Sequence, residues 1–389
     1  MKPRKNIKPL PFPVYLGTVA MLALAGLLDS AYLAISHFRV YTDMGYKSFC
    51  AVSKSINCDT VSQSPFSIFL DVPVPIWGMV GYAVFLVLLY AARRGPSNQV
   101  RLWPTLFVLA FCFSFYSIVL AMISAFYIHS YCIMCIVTYA VNFMLLFYTW
   151  LIHKRFANCS MAAGMINDFK WAVRKQKKAG SIFLCVSIGI SISLILWTPH
   201  YWEISFDQQE YQLESGLTED GHPWIGAEDP ELVIVEFTDY RCFQCKKLHF
   251  YLRNLIASYP DKIRLVHRNF PMDHKYNPLV REPFHVGSGR MALFSLYAAE
   301  KNNFWQFSDM LFNVKTRKGR FAIRGIAEAA GFDVWKLAGA AKDPVLRKKL
   351  NIDLRDGLNL GLTGTPGYLI DGQMYVGQIP PEIFARVME

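Results

Sequence analysis

Acidic residues are scarce in the first half of the chain. Residues 1–199 hold no glutamate and five aspartates against 17 lysines and arginines, a net charge of +12. Residues 200–389 hold 23 basic and 24 acidic residues, a net charge of −1. The whole +11 surplus therefore belongs to one half, where it reads as a membrane-topology signal before a nucleic-acid one. Charge is thin overall, at 18% of 389 residues against 53% apolar. That is too apolar for one soluble domain and too charged for a chain lying wholly in a membrane. Mixed composition with 15% aromatics excludes collagenous, coiled-coil and disordered classes. The length suggests two or three domains.

The basic half also holds the long uncharged runs. Residues 14–35, 75–92, 105–128, 131–152 and 181–198 each approach the roughly 20 residues that a bilayer core requires. Only Asp29 interrupts them with a formal charge. Basic clusters lie between them: Lys2, Arg4, Lys5 and Lys8; Arg93, Arg94 and Arg101; and Lys154, Arg155, Lys170, Arg174, Lys175, Lys177 and Lys178. If five spans alternate, all three clusters share one side, the cytoplasm by the positive-inside rule. The loop 39–73, the turn at 129–130 and everything after Pro199 are then outside. A cleavable signal peptide is the rival for the first run, but the apolar stretch continues past Ala23-Leu24-Ala25 to Ile35. The basic stretch 153–178 reads as a loop that sets topology rather than as a lipid-binding surface. Asp29 is a functional suspect, balanced against a protonated carboxyl bonded within the bundle. His37 and His129 read as interfacial residues.

Six of the nine cysteines form three pairs, Cys50/Cys58, Cys132/Cys135 and Cys242/Cys245. All three face the external side in this topology, where thiol pairs can hold disulfides. Cys112, Cys159 and Cys185 stand alone and read as filler or plain thiols. In the soluble half, residues 232–239 (LVIVEFTD) suit a buried strand, Cys242-Phe-Gln-Cys245 follows, and 246–258 has helical periodicity. Strand, CxxC, helix is a redox arrangement. The first cysteine sits at a helix N-terminus, where free N–H groups and the macrodipole stabilise a thiolate. The second lies on the same face, close enough to close a disulfide. A four-cysteine zinc cluster using the membrane CxxC would have to bridge two domains, so no metal is expected.

Residues 228–389 resemble the DsbA-like branch of the thioredoxin superfamily, through VEFTDYRCFQC, GTPGYLIDG and the helical stretch between them. The resemblance implies that Pro366, after Thr365, forms the cis-proline loop that docks partner chains. It implies that Glu236 is a buried acid moving protons for the second cysteine. Stretches 290–302, 304–313, 323–330 and 333–342 read as a DsbA-like helical insertion. The dipeptide between the cysteines is Phe-Gln, not the Pro-His of the strongly oxidising members. The domain's place between roughly −270 and −120 mV is therefore open.

Residues 14–155 resemble the vitamin K epoxide reductase (VKOR) family. The matching pieces are Cys50-x7-Cys58, CDTVSQS, VPIWG opening the second span and YCIMCIVTYAVN in the fourth. Ser130 is a candidate N-cap for that span. The resemblance implies that Cys50 and Cys58 shuttle electrons from the thioredoxin-like domain, that Cys132 receives them from Cys58, and that Cys135 passes them to a quinone. It implies quinone contacts from Ser64, Tyr139 and Asn142. Asp71 falls where the family would carry a small residue. The pairs follow an order along the chain that differs from DsbB-like quinone reductases.

The expected architecture is an all-α four-helix transmembrane bundle over 1–155. A basic loop, a fifth linking transmembrane helix and a linker follow over 156–227, then an α/β DsbA-like thioredoxin fold with helical insertion over 228–389. Cys50, Cys58, Cys132, Cys135, Cys242, Cys245, Glu236 and Pro366 are the expected catalytic set. The expected acceptor is ubiquinone or menaquinone, and the partners are reduced secreted or periplasmic proteins, membrane lipid and the quinone pool, with no nucleic acid. The expected location is a bacterial inner membrane, with the C-terminal domain periplasmic. The rivals are a membrane-anchored reductase or isomerase running electrons outward, and a non-catalytic docking module with structural disulfides.

Overall fold

The computed structural model describes residues 11–53, 56–93, 101–157, 159–174, 177–204, 213–314 and 321–388. The chain divides into two units, Met1–Trp202 and Glu203–Glu389. Of the basic residues assigned to topology, Lys2, Arg4, Lys5, Lys8, Arg94 and Lys175 lie outside the described residues.

The first unit is helical. Its elements are α1 (Phe12–Thr42), α2 (Cys58–Ser62), a small hairpin of β1 (Ile68–Phe69) and β2 (Val72–Pro73), α3 (Val74–Arg93), α4 (Trp103–Ile123, prolonged by a π turn Ser124–Ile128), α5 (Ile133–Phe156), α6 (Met161–Arg174) and α7 (Lys177–Trp197). Among the described residues, four helices are long and apolar enough to cross a membrane: Phe12–Thr42, Val74–Ala92, Trp103–Ile128 and Ile133–Phe156. Their burial pattern is that of a bundle in lipid. On α4, Phe111 and Phe115 are exposed while Ser114 and Ser117 are buried. On α5, Phe143 and Phe147 are exposed while Asn142 and Thr149 are buried. Large apolar groups face outward and hydrogen-bonding groups face the interior, as a hydrocarbon surround demands. α1 packs on α3 and α5, and α4 on α5. The approach of α1 to α3 needs Gly78, where an added Cβ would lie 2.7 Å from Ser30 Oγ.

Two sequence expectations change here. α1 runs beyond residue 35 to Thr42 and buries Ser36, His37, Val40 and Tyr41. The stretch read as a basic loop contains α6, which packs on α4. Its buried Asp168 accepts from Leu102 N–H (3.1 Å) and Thr105 Oγ1 (2.9 Å), satisfying the start of α4 as an N-terminal carboxylate does. α7 covers the fifth run, over Lys177–Trp197. Asp71 sits in the β1–β2 turn at φ 54°, beside Leu70 at φ 50°. Aspartate tolerates that left-handed region, which accounts for it in place of a smaller residue.

The second unit is a mixed α/β fold. β3 (Ser215–Leu217), β4 (Pro223–Gly226) and β5 (Leu232–Thr238) precede α8 (Phe243–Ser258) and β6 (Ile263–Asn269). Helices α9 (Ser288–Ala299), α10 (Phe304–Asn313), α11 (Ile323–Ala329), α12 (Val334–Ala340) and α13 (Pro344–Asn359) follow, then β7 (Gly367–Ile370), β8 (Gln373–Val376) and α14 (Pro381–Met388). The six strands are ordered β3-β4-β6-β5-β7-β8, with β5 and β6 parallel and the other pairs antiparallel. β5 is central and apolar, and its C-terminal end delivers the CxxC to the start of α8. α9–α13 are inserted between β6 and β7, and Phe294, Phe307, Leu311 and Leu350 join Phe237 and Phe270 in one core. α13 was missed in the sequence, although Asp343 caps it, accepting from Val345 N–H at 2.7 Å, and Pro344 opens it.

Candidate active site

In the helical unit, Cys50 and Cys58 are joined in a disulfide with Cα atoms 5.7 Å apart. Cys58 opens α2, whose N-cap Asn57 accepts from the N–H groups of Asp59 (2.9 Å) and Thr60 (3.1 Å). The loop is bound to the start of α5 through its backbone. Asn57 N–H donates to Tyr131 O at 2.9 Å, and Ile56 bridges Tyr131 as a short parallel strand would. Ser130 is not the cap of α5; its hydroxyl donates to Asn57 O at 3.4 Å. Cys132 is the N-cap, and its Sγ accepts from Cys135 N–H at 3.1 Å. A sulfur placed on free N–H groups is favoured as a thiolate. Cys50, Cys58 and Cys132 form one buried cluster, with Cys135, Met134, Val61 and Leu33 against it.

Behind Cys135 lies a cavity of about 290 Å³ between α1, α3, α4 and α5. All four residues expected at a cofactor, Ser64, Cys135, Tyr139 and Asn142, line it. Its walls are chiefly apolar and aromatic, including Phe66, Trp77, Phe113 and Tyr116. Asn142 is held by its neighbours: Tyr82 OH donates to its Oδ1 at 2.6 Å and its Nδ2 donates to Ser117 Oγ at 2.9 Å. Ser64 Oγ donates to Val61 O at 2.7 Å. An apolar chamber with a few fixed polar groups and a thiol in its wall suits a flat, lipid-soluble molecule.

In the α/β unit, Cys242 caps α8 and its Sγ accepts from Cys245 N–H at 3.4 Å. The Cys242 thiol also lies 3.6 Å from the carbonyl oxygen of Thr365, which precedes the cis-bonded Pro366. The two segments expected to meet are therefore adjacent. Cys242 is half-buried and Cys245 is buried. The hydrogen bond from Cys245 comes first among the causes that bring the Cys242 pKa down to about 7. Burial, and then Cys242 itself, holds the Cys245 thiol well above its usual value. The pair is thus split into an attacking thiolate and a retained thiol.

Glu236 is fully buried on β5. Its Oε1 meets His267 Nδ1 at 2.8 Å and His249 Nδ1 at 3.2 Å. His249 Nε2 continues to Asp309 Oδ1 at 2.8 Å, and Arg253 Nη1 lies 3.2 Å from both Asp309 oxygens. Burial pushes the Glu236 carboxyl up, but His249 first and His267 with it bring it down to about 2. The three convergent atoms have the composition of a metal site. Their direct contacts are those of a hydrogen-bonded charge cluster.

The family model "Vitamin K epoxide reductase family" matches residues 18–150, and "DSBA-like thioredoxin domain" matches residues 233–389. The chain carries a VKOR-family domain followed by a DSBA-like thioredoxin domain. It is also 26% identical over 213 residues to a Na(+)/H(+) antiporter NhaA from Herminiimonas arsenicoxydans, a match covering 52% of this chain and 32% of the antiporter. The chain thus spans about a third of that relative's length. A thioredoxin-like oxidoreductase from Silicibacter pomeroyi is 20% identical, with a TM-score of 0.37, over 44% of this chain and 91% of its own. DsbA2 of Pseudomonas aeruginosa is 19% identical, with a TM-score of 0.34, over 42% and 91%.

The structure places Asp29, which the sequence left open between two readings, and brings in other residues that the sequence did not single out. In the VKOR domain, Asp29 accepts from the Thr138 hydroxyl, while its Oδ1 is buried with no hydrogen-bond partner among the described residues. Thr138 lies one turn after Cys135 on α5, so Asp29 is held beside the cavity wall. His37 is buried, lines the cavity, and meets Tyr201 OH at 2.7 Å and Ser67 Oγ at 3.2 Å. His129 is exposed. In the thioredoxin domain, the His249 and His267 partners of Glu236 were missed. His249 could have been found four residues after Cys245, on the same face of the helix.

Proposed function

We propose that this protein is a membrane thiol–disulfide oxidoreductase that makes disulfides in secreted proteins, with a quinone as final acceptor, in a bacterial inner membrane. The observation that carries this reading is the cavity into which Cys135 opens, with the buried Cys50–Cys58–Cys132 cluster packed behind it. A client dithiol is oxidised to a disulfide while Cys242–Cys245 is reduced to two thiols, and two electrons and two protons change hands. Cys242 is the exchanging sulfur, because it is the less buried and is the thiolate of its pair. Cys245 resolves the mixed disulfide. Pro366 and Thr365 lie against Cys242 and receive the client backbone. The reduced pair then gives its electrons to Cys50–Cys58, and the loop dithiol gives them to Cys132–Cys135. The covalent tether between the domains raises the concentration of one pair near the other. When bound, the quinone supplies a two-electron, two-proton sink. Ser64, Tyr139 and Asn142 would hold it, with Cys135 against its ring.

The full-length protein, supplied anaerobically with a reduced unfolded dithiol protein and a quinone, is expected to form quinol, read by ultraviolet absorbance. Cys242→Ala should slow this at least about tenfold, by forcing the client to reach the loop pair directly. Turnover of disulfide substrates with no quinol from either ubiquinone or menaquinone would replace the proposal with an outward-running reductase. Full client oxidation by Cys242→Ala would favour a docking role for the thioredoxin domain.

A further inference from the structure

The dipeptide Phe243-Gln244 puts no titratable group between the two cysteines of the thioredoxin domain. An imidazole reaches the same turn from elsewhere. His285 lies in the segment before α9, at φ 41°, with its ring stacked on Phe284 at 4.0 Å between centroids. That segment is tied to the active-site turn at several points. Arg241 Nη1 donates to Val286 O at 2.7 Å, and Ser288 Oγ donates to Asp239 Oδ2 at 2.8 Å. His285 Nδ1 lies 3.1 Å from the same Asp239 oxygen, a charge contact rather than an aligned hydrogen bond. Asp239 in turn closes the turn, its carbonyl accepting from Cys242 N–H at 3.0 Å. Gly287 N–H donates to Asp273 Oδ2 at 2.8 Å, so the far end of the segment is fixed as well.

We propose that His285, paired with the buried carboxylate of Asp239, is the cation that holds the Cys242 thiolate, replacing the charge that the Phe-Gln dipeptide lacks. The proposal deepens the reading of Cys242 as the exchanging sulfur and rests on it. The charge balance around the ring supports it. Asp239 and Cys242 attract an imidazolium, and Arg241 opposes one. Asp273 faces Arg241 as well. Burial pulls the His285 pKa down, but Asp239 outweighs burial and the net direction is up. Burial likewise works against the Asp239 carboxylate, and His285 leads the groups that bring it below its usual range. Asp239 thus favours the charged form of His285, and the His285 charge favours the Cys242 thiolate against the opposing charge of Asp239. His285 is a positioning residue in this sense: it sets the protonation state of the thiol that reacts.

The decisive measurement is the pH dependence of Cys242 alkylation by a bimane reagent, in reduced full-length protein in detergent, with the labelled peptide quantified by mass spectrometry. In His285→Asn, whose side chain tolerates the left-handed backbone, the thiolate midpoint should rise by about one unit. Below the wild-type midpoint the rate should fall about tenfold. In His285→Lys the low midpoint should be retained, because a cation is retained. An unchanged midpoint in His285→Asn would overturn the inference, as would equal shifts in both variants, which would assign the effect to packing. Quinol formation by the same samples separates the two readings. A normal midpoint in His285→Asn with sustained quinol formation removes only the role of His285. Loss of quinol formation in the wild type removes the function on which it rests.

Discussion

Replacing Cys135 by serine is expected to abolish quinol formation, to below roughly 10⁻³ of the wild-type rate. Cys135 is the cysteine that both lines the cavity and has a partner thiol, since its N–H donates to Cys132 Sγ at 3.1 Å. Without it, Cys132 cannot close a disulfide. Electrons arriving from Cys50 and Cys58 then have no two-sulfur acceptor, and the Cys132 thiolate can only attack the oxidised Cys50–Cys58 disulfide, breaking that S–S bond to form a mixed disulfide and release one loop thiol. Cys50, Cys58 and Cys132 share one buried cluster, so that mixed disulfide should join Cys132 to the loop, and Cys58 is the expected partner. Non-reducing peptide mapping of Cys135→Ser protein reads it directly. Cys112 also lines the cavity but has no neighbouring cysteine among the described residues, so Cys112→Ser should stay within about twofold of wild type. Quinol formation that survives Cys135→Ser, or dies with Cys112→Ser instead, would place electron exit at a different sulfur.

The parts of this site that could be read in the sequence are those whose chemistry is local. CxxC at a helix start is contained in one turn, and both instances behave alike: Cys132 caps α5 and Cys242 caps α8, each accepting from the N–H three residues on. The spans were legible because hydrocarbon imposes length and apolarity on a continuous stretch. The cavity residues Ser64, Tyr139 and Asn142 came through family resemblance, and periodicity alone would not have singled them out. What escaped was set by tertiary approach. His267 meets Glu236 because β6 pairs parallel to β5 with those two residues in register. Asp168 was hidden in a stretch whose basic charge suggested a loop, yet its carboxylate finds the open N-terminus of α4. His37 falls just past a span ended at residue 35, whereas α1 continues through it and buries it.

The buried charge cluster of Glu236, His249 and His267 should carry the largest single contribution to stability in the thioredoxin domain. Glu236→Ala leaves His249 and His267 buried without their shared acceptor, and breaking a buried pair in this way costs about 3–5 kcal/mol. Hydrogen exchange of peptides from β5, α8 and β6, measured by mass spectrometry on full-length protein, should accelerate by roughly two to nearly four orders of magnitude. Glu236→Gln keeps the volume and one acceptor, so its effect should be smaller. The cost has a pH signature. The Glu236 pKa falls from an ordinary 4.5 to about 2 on folding, so its contribution is present above 4.5 and fades as pH drops toward 2. His249 moves the other way. Burial lowers its pKa, but Glu236 and then Asp309 more than offset burial, so its contribution is complete below its ordinary 6.5 and fades as pH climbs through the raised folded value. Both are present between pH 4.5 and 6.5, and there the gap between wild type and Glu236→Ala should be widest. A gap that stays the same size below pH 4.5 and above pH 6.5 as it is between them would mean that Glu236 acts by filling space. In the charged reading, the carboxylate draws protonation onto His249, and the His249–Asp309 contact continues the cluster from buried Glu236 to the partly exposed Asp309.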